Sequence, residues 1–295
     1  MLIRVRAASV NPYDWHFLRG TPSFIRLFTG LGKPKSPRLG ADVAGIVEAT
    51  GLQVTRFKPG DAVFGTCKGA FAEYACAPEK SLALKPENLT FQQAASIPIA
   101  GITALQGLRD CGQLKPQQSV LINGAAGGVG TFAVQIAKSF GAHVTGVCST
   151  RNLELVRSIG ADHVIDYMQE NFTGSGHTYD VIFDLVGNHP LPALRRALHP
   201  CGIFVGCGGG GPDKSSADLL TMMLGRQFIA PFVSQKLTGV FAKINRGDLD
   251  TLGELAASGK INPVLDKSFG LPETAAAIRY VEQCHARGKV TITVS

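Results

Sequence analysis

The chain has no apolar run of about 18 residues, so no segment reads as a membrane-spanning helix. It has no CxxC pair. Its seven cysteines, at positions 67, 76, 111, 148, 201, 207 and 284, are scattered and odd in number. That argues against a disulfide framework and against a cysteine zinc cage, and for a reducing compartment, the cytoplasm. It has one tryptophan, and nowhere do aromatics interleave with a basic stripe. The net charge of +7 is spread out, its densest cluster being Lys33–Arg38, so no nucleic-acid partner is expected. The positive excess suits an anionic small molecule, or is simply solvated surface. No secretory signal opens the chain, because Arg4 and Arg6 interrupt the apolar stretch Met1–Val10, which reads instead as an alternating strand.

What is present is a glycine-rich turn between a strand and a helix. The apolar strand Ser119–Ile122 runs into Ala125, Ala126, Gly127, Gly128, Val129 and Gly130, and an amphipathic helix follows over Thr131–Phe140. A second apolar strand, Ala142–Cys148, comes next. This is the order of a dinucleotide-binding unit. Its glycines admit a pyrophosphate, and the unpaired N–H groups of the helix start face the negative charge. The register reads A-x-G-x-x-G, with Ala125 in place of the first glycine. At the end of the second strand, where NAD sites carry an acid for the ribose 2′-hydroxyl, stand Ser149, Thr150, Arg151 and Asn152. Hydroxyls and a guanidinium suit a 2′-phosphate, so NADP(H) is expected rather than NAD(H).

The first 95 residues read as short strands and turns, among them Val43–Ala49, Lys58–Phe64 and an alternating Gly69–Cys76. From Phe91 helices alternate with apolar strands at 120–122, 144–148, 164–165, 181–185 and 203–206, with helices at 131–140, 153–159, 192–198 and 248–258. The tail adds a strand, a helix at 272–283 and a final strand at 289–294. The expected class is α/β: a β-rich catalytic domain over 1–95, a doubly wound parallel sheet domain over 96–260, and a return to the catalytic domain over 261–295.

Gly69–Tyr74, Ala94–Ala104, Asn123–Gly130, Gly160–Asp166 and Gly288–Val290 follow one another in an order that resembles the medium-chain dehydrogenases/reductases. The likeness runs along essentially the whole chain and is strongest to the zinc-free quinone oxidoreductase, zeta-crystallin-like branch. It implies a GroES-like catalytic domain, an inserted Rossmann domain, a cleft between them and a homodimer. For the dimer, the apolar segment Arg226–Val233 is the candidate edge strand. It also implies a β-hairpin ahead of the position where this chain starts, without which the strand Leu2–Val10 would become an exposed edge.

Zinc-dependent relatives place their ligands where this chain has Asn11, Ala41 and Ile99, so the resemblance implies no metal. Without one, hydride transfer to an electron-poor acceptor, a quinone or an alkene conjugated to a carbonyl, needs only a hydrogen-bond donor at the carbonyl oxygen. The alternatives are a zinc-free NADP-dependent alcohol or aldehyde oxidoreductase and a non-catalytic NADPH-binding protein. By position in the family, Asn11 lies beside the nicotinamide ribose, Tyr13 is the donor, and Asp14 and then His16 are secondary. Thr103, Tyr167, Val186, Gly187, Gly206, Cys207, Gly208, Phe232, Val233 and Lys289 complete the expected cofactor contacts. Each of these positions also has an ordinary packing or turn reading.

Overall fold

In the computed structural model, residues 1–21, 23, 26, 30, 38–207 and 233–295 are described. Gly208, Phe232 and most of the expected edge segment 226–233 lie outside them. The chain forms two units, Met1–Ile102 with Lys243–Ser295, and Thr103–Ala242.

The first unit is built on strands β1 (Leu2–Val10), β2 (Asp42–Ala49), β3 (Ala62–Thr66), β4 (Tyr74–Cys76), β5 (Leu82–Leu84), β12 (Leu265–Gly270) and β13 (Lys289–Thr293). Their order is β12-β13-β1-β2-β3-β5, with β4 also pairing β1. Alternation sets the faces of β1: Ile3 and Val5 are buried and Arg4 and Arg6 exposed. The expectation of an exposed edge at Leu2–Val10 is overturned. β2 lies along one side of β1, while β4 pairs its first residues and β13 its last. Gly45 permits this crowding, since a Cβ there would sit 2.2 Å from the Arg4 carbonyl oxygen.

The expected strand Gly69–Cys76 is shortened to Tyr74–Cys76. Backbone N–H groups of Gly69 and Ala70 donate to the Gly40 carbonyl, and Phe71 N–H to that of Leu39, which holds these residues on the 39–40 loop instead of in a ladder. Ile3, Val5, Val43, Val47, Val63, Leu82, Val290 and Ile292 make the core. Helices α1 (Pro12–Arg19), α2 (Phe91–Ala95) and α3 (Pro98–Gln106) follow in chain order, the last running across the division between the units.

The second unit carries a parallel sheet of β6 (Ser119–Asn123), β7 (His143–Cys148), β8 (His163–Asp166), β9 (Tyr179–Asp184), β10 (Leu198–Gly206) and β11 (Lys236–Gly239). Their order is β11-β10-β9-β6-β7-β8. The strands run as near-continuous apolar stretches because helices α4 (Gly128–Ser139), α5 (Leu153–Ser158) and α6 (Leu191–Arg196) accompany them. Chain order reverses between β6 and β9, and ligands of such sheets bind beyond the strand carboxyl ends at that switch point.

Helix α7 (Arg246–Ala257) was expected within this domain. It belongs to the first unit, where a Cβ added to Gly253 would meet the Phe64 ring at 3.6 Å. The last helix, α8, is Thr274–Glu282. Among the described residues no helix is long and apolar enough to cross a membrane.

Candidate active site

In the first unit three buried polar side chains meet around the end of β1. Asn11 follows directly on β1, Asp42 opens β2 and Lys289 opens β13, so register brings together residues 278 positions apart. The Lys289 Nζ donates to Asn11 Oδ1 at 2.6 Å and lies 3.7 Å from Asp42 Oδ2. The Asn11 amide donates from Nδ2 to Asp42 Oδ2 at 2.8 Å and to the Ser9 carbonyl at 3.3 Å. The second Asp42 oxygen accepts from Ile99 N–H at 3.1 Å. Asp42 is 0% exposed, Asn11 2% and Lys289 3%. Burial pushes the Asp42 carboxyl up to about 6 and the Lys289 ammonium down, and their mutual attraction opposes both shifts. Both Asn11 donors are thus used inside the protein, and Lys289 is held in the interior.

Asp14 sits in the first turn of α1, and both its oxygens accept backbone N–H groups, from Asn11 at 2.8 Å and from Gly40 at 3.1 Å. It ties the helix start to the Gly40 loop. Burial pushes its carboxyl up to about 7, with the Asp42 charge adding to the rise and the two N–H donors and Lys289 opposing it. Tyr13, next to it, is half exposed and packs on Phe17 with ring centroids 4.2 Å apart. Partial burial and the Asp14 charge raise its pKa, so its O–H stays protonated and able to donate. His16 stacks on Trp15, and its Nδ1 lies 2.6 Å from the Thr21 carbonyl, to which it donates. Burial lowers its pKa, which keeps the ring neutral.

In the second unit the glycine-rich turn has the expected form. Gly127 is the N-cap of α4 and has no side chain with which to cap it. A Cβ on Gly130 would lie 2.1 Å from the Gly124 carbonyl oxygen, so the turn folds back flat onto the first helical residues. Gly124 has φ +90° and lies under Val186, whose Cγ2 a Cβ there would meet at 2.9 Å. The helix start and the space left above three glycines fit a pyrophosphate. Among the described residues no three His, Cys, Asp or Glu side chains converge.

The residues not foreseen as site residues are Asn123, Asp184 and Asn188. Asn123 Nδ2 donates to Asp184 Oδ1 and to Asn188 Oδ1, each at 2.9 Å. The same Asp184 oxygen accepts from Val186 and Gly187 N–H, and the Asp184 carbonyl from Cys207 N–H. One residue, through its carboxylate and its backbone carbonyl, therefore ties together the ends of β6, β9 and β10 where Val186, Gly187, Gly206 and Cys207 were expected to approach the cofactor. A signal was there to read: Asp166 and Asp184 each end an apolar strand with a carboxylate, on the side where the sheet binds ligands. Thr103 lies in α3 and is 7% exposed, while Tyr167 is 56% exposed just beyond β8. Val233 is half-buried.

Residues 1–87 match the family described as alcohol dehydrogenase GroES-like domain, and residues 159–292 the one described as zinc-binding dehydrogenase. The chain is 34% identical to the mitochondrial NAD(P)H oxidoreductase RTN4IP1 of Bos taurus, over 100% of this chain and 81% of that one. It is 35% identical to the chloroplastic NADPH-dependent alkenal/one oxidoreductase of Arabidopsis thaliana, over 99% of this chain and 71% of that one. Among solved structures, the quinone oxidoreductase of Coxiella burnetii superposes with a TM-score of 0.84 at 31% identity, over 100% of this chain and 90% of that one.

Proposed function

The chain belongs to the medium-chain dehydrogenase/reductase superfamily and is an oxidoreductase that uses a nicotinamide cofactor, and on that premise we propose that it transfers hydride from NADPH, without zinc, to a quinone or an alkene conjugated to a carbonyl. The likeness to a relative named for alkenal and enone reduction carries the acceptor class. Bound at the glycine-rich turn, the cofactor supplies the hydride. This chain's residues would bind the pyrophosphate at Gly127–Gly130 and receive the 2′-phosphate at the β7 and β8 ends, at Ser149, Arg151 and Tyr167, with Thr150 beside them. The Tyr13 hydroxyl, held protonated, donates to the acceptor's carbonyl oxygen as charge develops there. Asp14 and Asn11 act through the backbone and the buried lysine rather than on substrate.

The test is NADPH turnover against a quinone, an enone and a primary alcohol. Turnover is expected with the first two, and activity confined to the alcohol would overturn the reading. NADPH is expected to outperform NADH, and Arg151→Glu to raise KM for NADPH by about tenfold or more through lost pairing and new repulsion.

The protein is further read as a cytoplasmic homodimer without zinc. Seven cysteines, none in a disulfide among the described residues, support a reducing compartment. The donor set supports the absence of zinc: Asn11 is engaged by Asp42 and Lys289, and Ala41 offers no ligand. Native mass spectrometry is expected to give twice the chain mass with no added zinc. A monomer, or one retained zinc per chain, would each refute the corresponding point.

A further inference from the structure

The ends of β7 and β8 lie side by side, with Cys148 paired to Asp166 in register. Two short segments leave these ends. One carries Ser149, Thr150 and Arg151, the other Tyr167, and Asp166 bonds to both. Its Oδ2 accepts from the Thr150 hydroxyl at 2.6 Å, and its Oδ1 accepts from Met168 N–H at 3.0 Å. Asp166 is 8% exposed, so this carboxylate is a buried clamp between the two segments.

A carboxylate beside this strand end would ordinarily accept from a ribose 2′-hydroxyl and repel a 2′-phosphate. Here each oxygen already accepts a hydrogen bond from the protein, which makes it a weaker acceptor for a further hydroxyl. The Thr150 hydroxyl has one proton and spends it on Asp166, so it is not a donor to phosphate. The Ser149 hydroxyl differs. Its oxygen accepts from Asn152 Nδ2 at 3.2 Å, which leaves its own proton to be given elsewhere. The donors for a phosphate are therefore Ser149, Arg151 and Tyr167, and the Thr150–Asp166 pair sets where they stand.

We propose that the Asp166–Thr150 clamp is the specificity-determining element for the cofactor's 2′-phosphate, acting by position and by engaging the Asp166 oxygen for which a ribose hydroxyl would otherwise compete. This rests on the reading that the protein prefers NADPH. Thr150 is then a positioning residue, one step removed from the phosphate it was expected to touch.

Thr150→Val keeps the side-chain shape and removes the donor, leaving one Asp166 oxygen open beside the ribose. Dissociation constants for NADPH, NADH and 2′,5′-ADP, measured by calorimetry on the full chain, are the readout. The affinity ratio of NADPH to NADH is expected to fall by about tenfold in Thr150→Val. NADH binding should hold or improve, 2′,5′-ADP should weaken in parallel with NADPH, and Thr150→Ser should restore the wild-type ratio. If Thr150→Val weakens NADPH and NADH equally, the pair is merely structural and the proposal fails. If the ratio does not change, it fails as well. Equal affinities of the unmodified protein for NADPH and NADH would instead sink the underlying preference, and the clamp's role with it.

Discussion

Lys289→Met is expected to be among the most destabilising single substitutions in the first unit, lowering its stability by about 3–5 kcal/mol. Lys289 is the cation facing the buried Asp42 carboxylate, and its ammonium also holds the Asn11 oxygen. Removing one member of a buried ionic set leaves the other charged and unsolvated, which costs more than the pair itself contributes. Methionine fills similar volume, so the loss is electrostatic rather than a cavity.

The pH dependence separates that cause from a packing defect. Asp42 and Asp14 have folded pKa values raised to about 6 and about 7, against about 3.9 for an unfolded aspartate. Over that interval the folded state binds more protons than the unfolded one, so stability falls as pH rises from about 4 to about 7. Without the lysine the carboxylates rise further, and the slope steepens. The gap between variant and wild type should therefore be large at pH 7 and close near pH 4, where both acids are protonated in either protein. A gap that is the same at both pH values in thermal melts would reject the electrostatic account. Adding Asp42→Asn to Lys289→Met should recover part of the loss, since it removes the stranded charge.

Gly130→Ala is expected to weaken cofactor binding severely while sparing the first unit. The added methyl would lie 2.1 Å from the Gly124 carbonyl oxygen and 2.8 Å from two Ala125 backbone atoms. All three belong to the main chain of the turn itself, so no side chain can swing away to make room. Either α4 shifts outward or the turn opens, at a cost of about 3 kcal/mol. In both cases the N–H groups at the helix start lose their aim, and a cost of that size corresponds to a rise in the NADPH dissociation constant of roughly 100-fold. Gly174→Ala in the same unit, where nothing lies within 4 Å of the added carbon, is the control and should bind normally. Calorimetric binding by Gly130→Ala within a factor of two or so of wild type would show that the turn does not carry the pyrophosphate.

The glycine turn, the parallel strands and the helix after Gly127 were legible because they are local. An apolar run, a glycine cluster and a 3.6-residue stripe lie within about 25 residues, and each follows from backbone sterics and periodicity. The same holds for β1, whose alternation of Ile3 and Val5 with Arg4 and Arg6 states which face is buried. The shortening of the Gly69–Cys76 strand was not legible, because its competing hydrogen bonds come from Leu39 and Gly40, thirty positions upstream. Nor was the placement of α7. Its amphipathic stripe says that one face is covered, and only packing against Phe64 within the first unit says by what.

The site divides along the same line. Residue types at the β7 end are enough by themselves to raise the expectation of a 2′-phosphate, since Ser149, Thr150 and Arg151 are consecutive in the chain with no acid among them. What each polar group is free to do was decided by tertiary structure alone. Sheet register brings Lys289 to Asn11 and Asp42, and Asp166 to Thr150, across separations that no local pattern encodes. A hydrogen bond satisfied inside the protein takes a donor out of the chemistry, and that depends on which strands are neighbours.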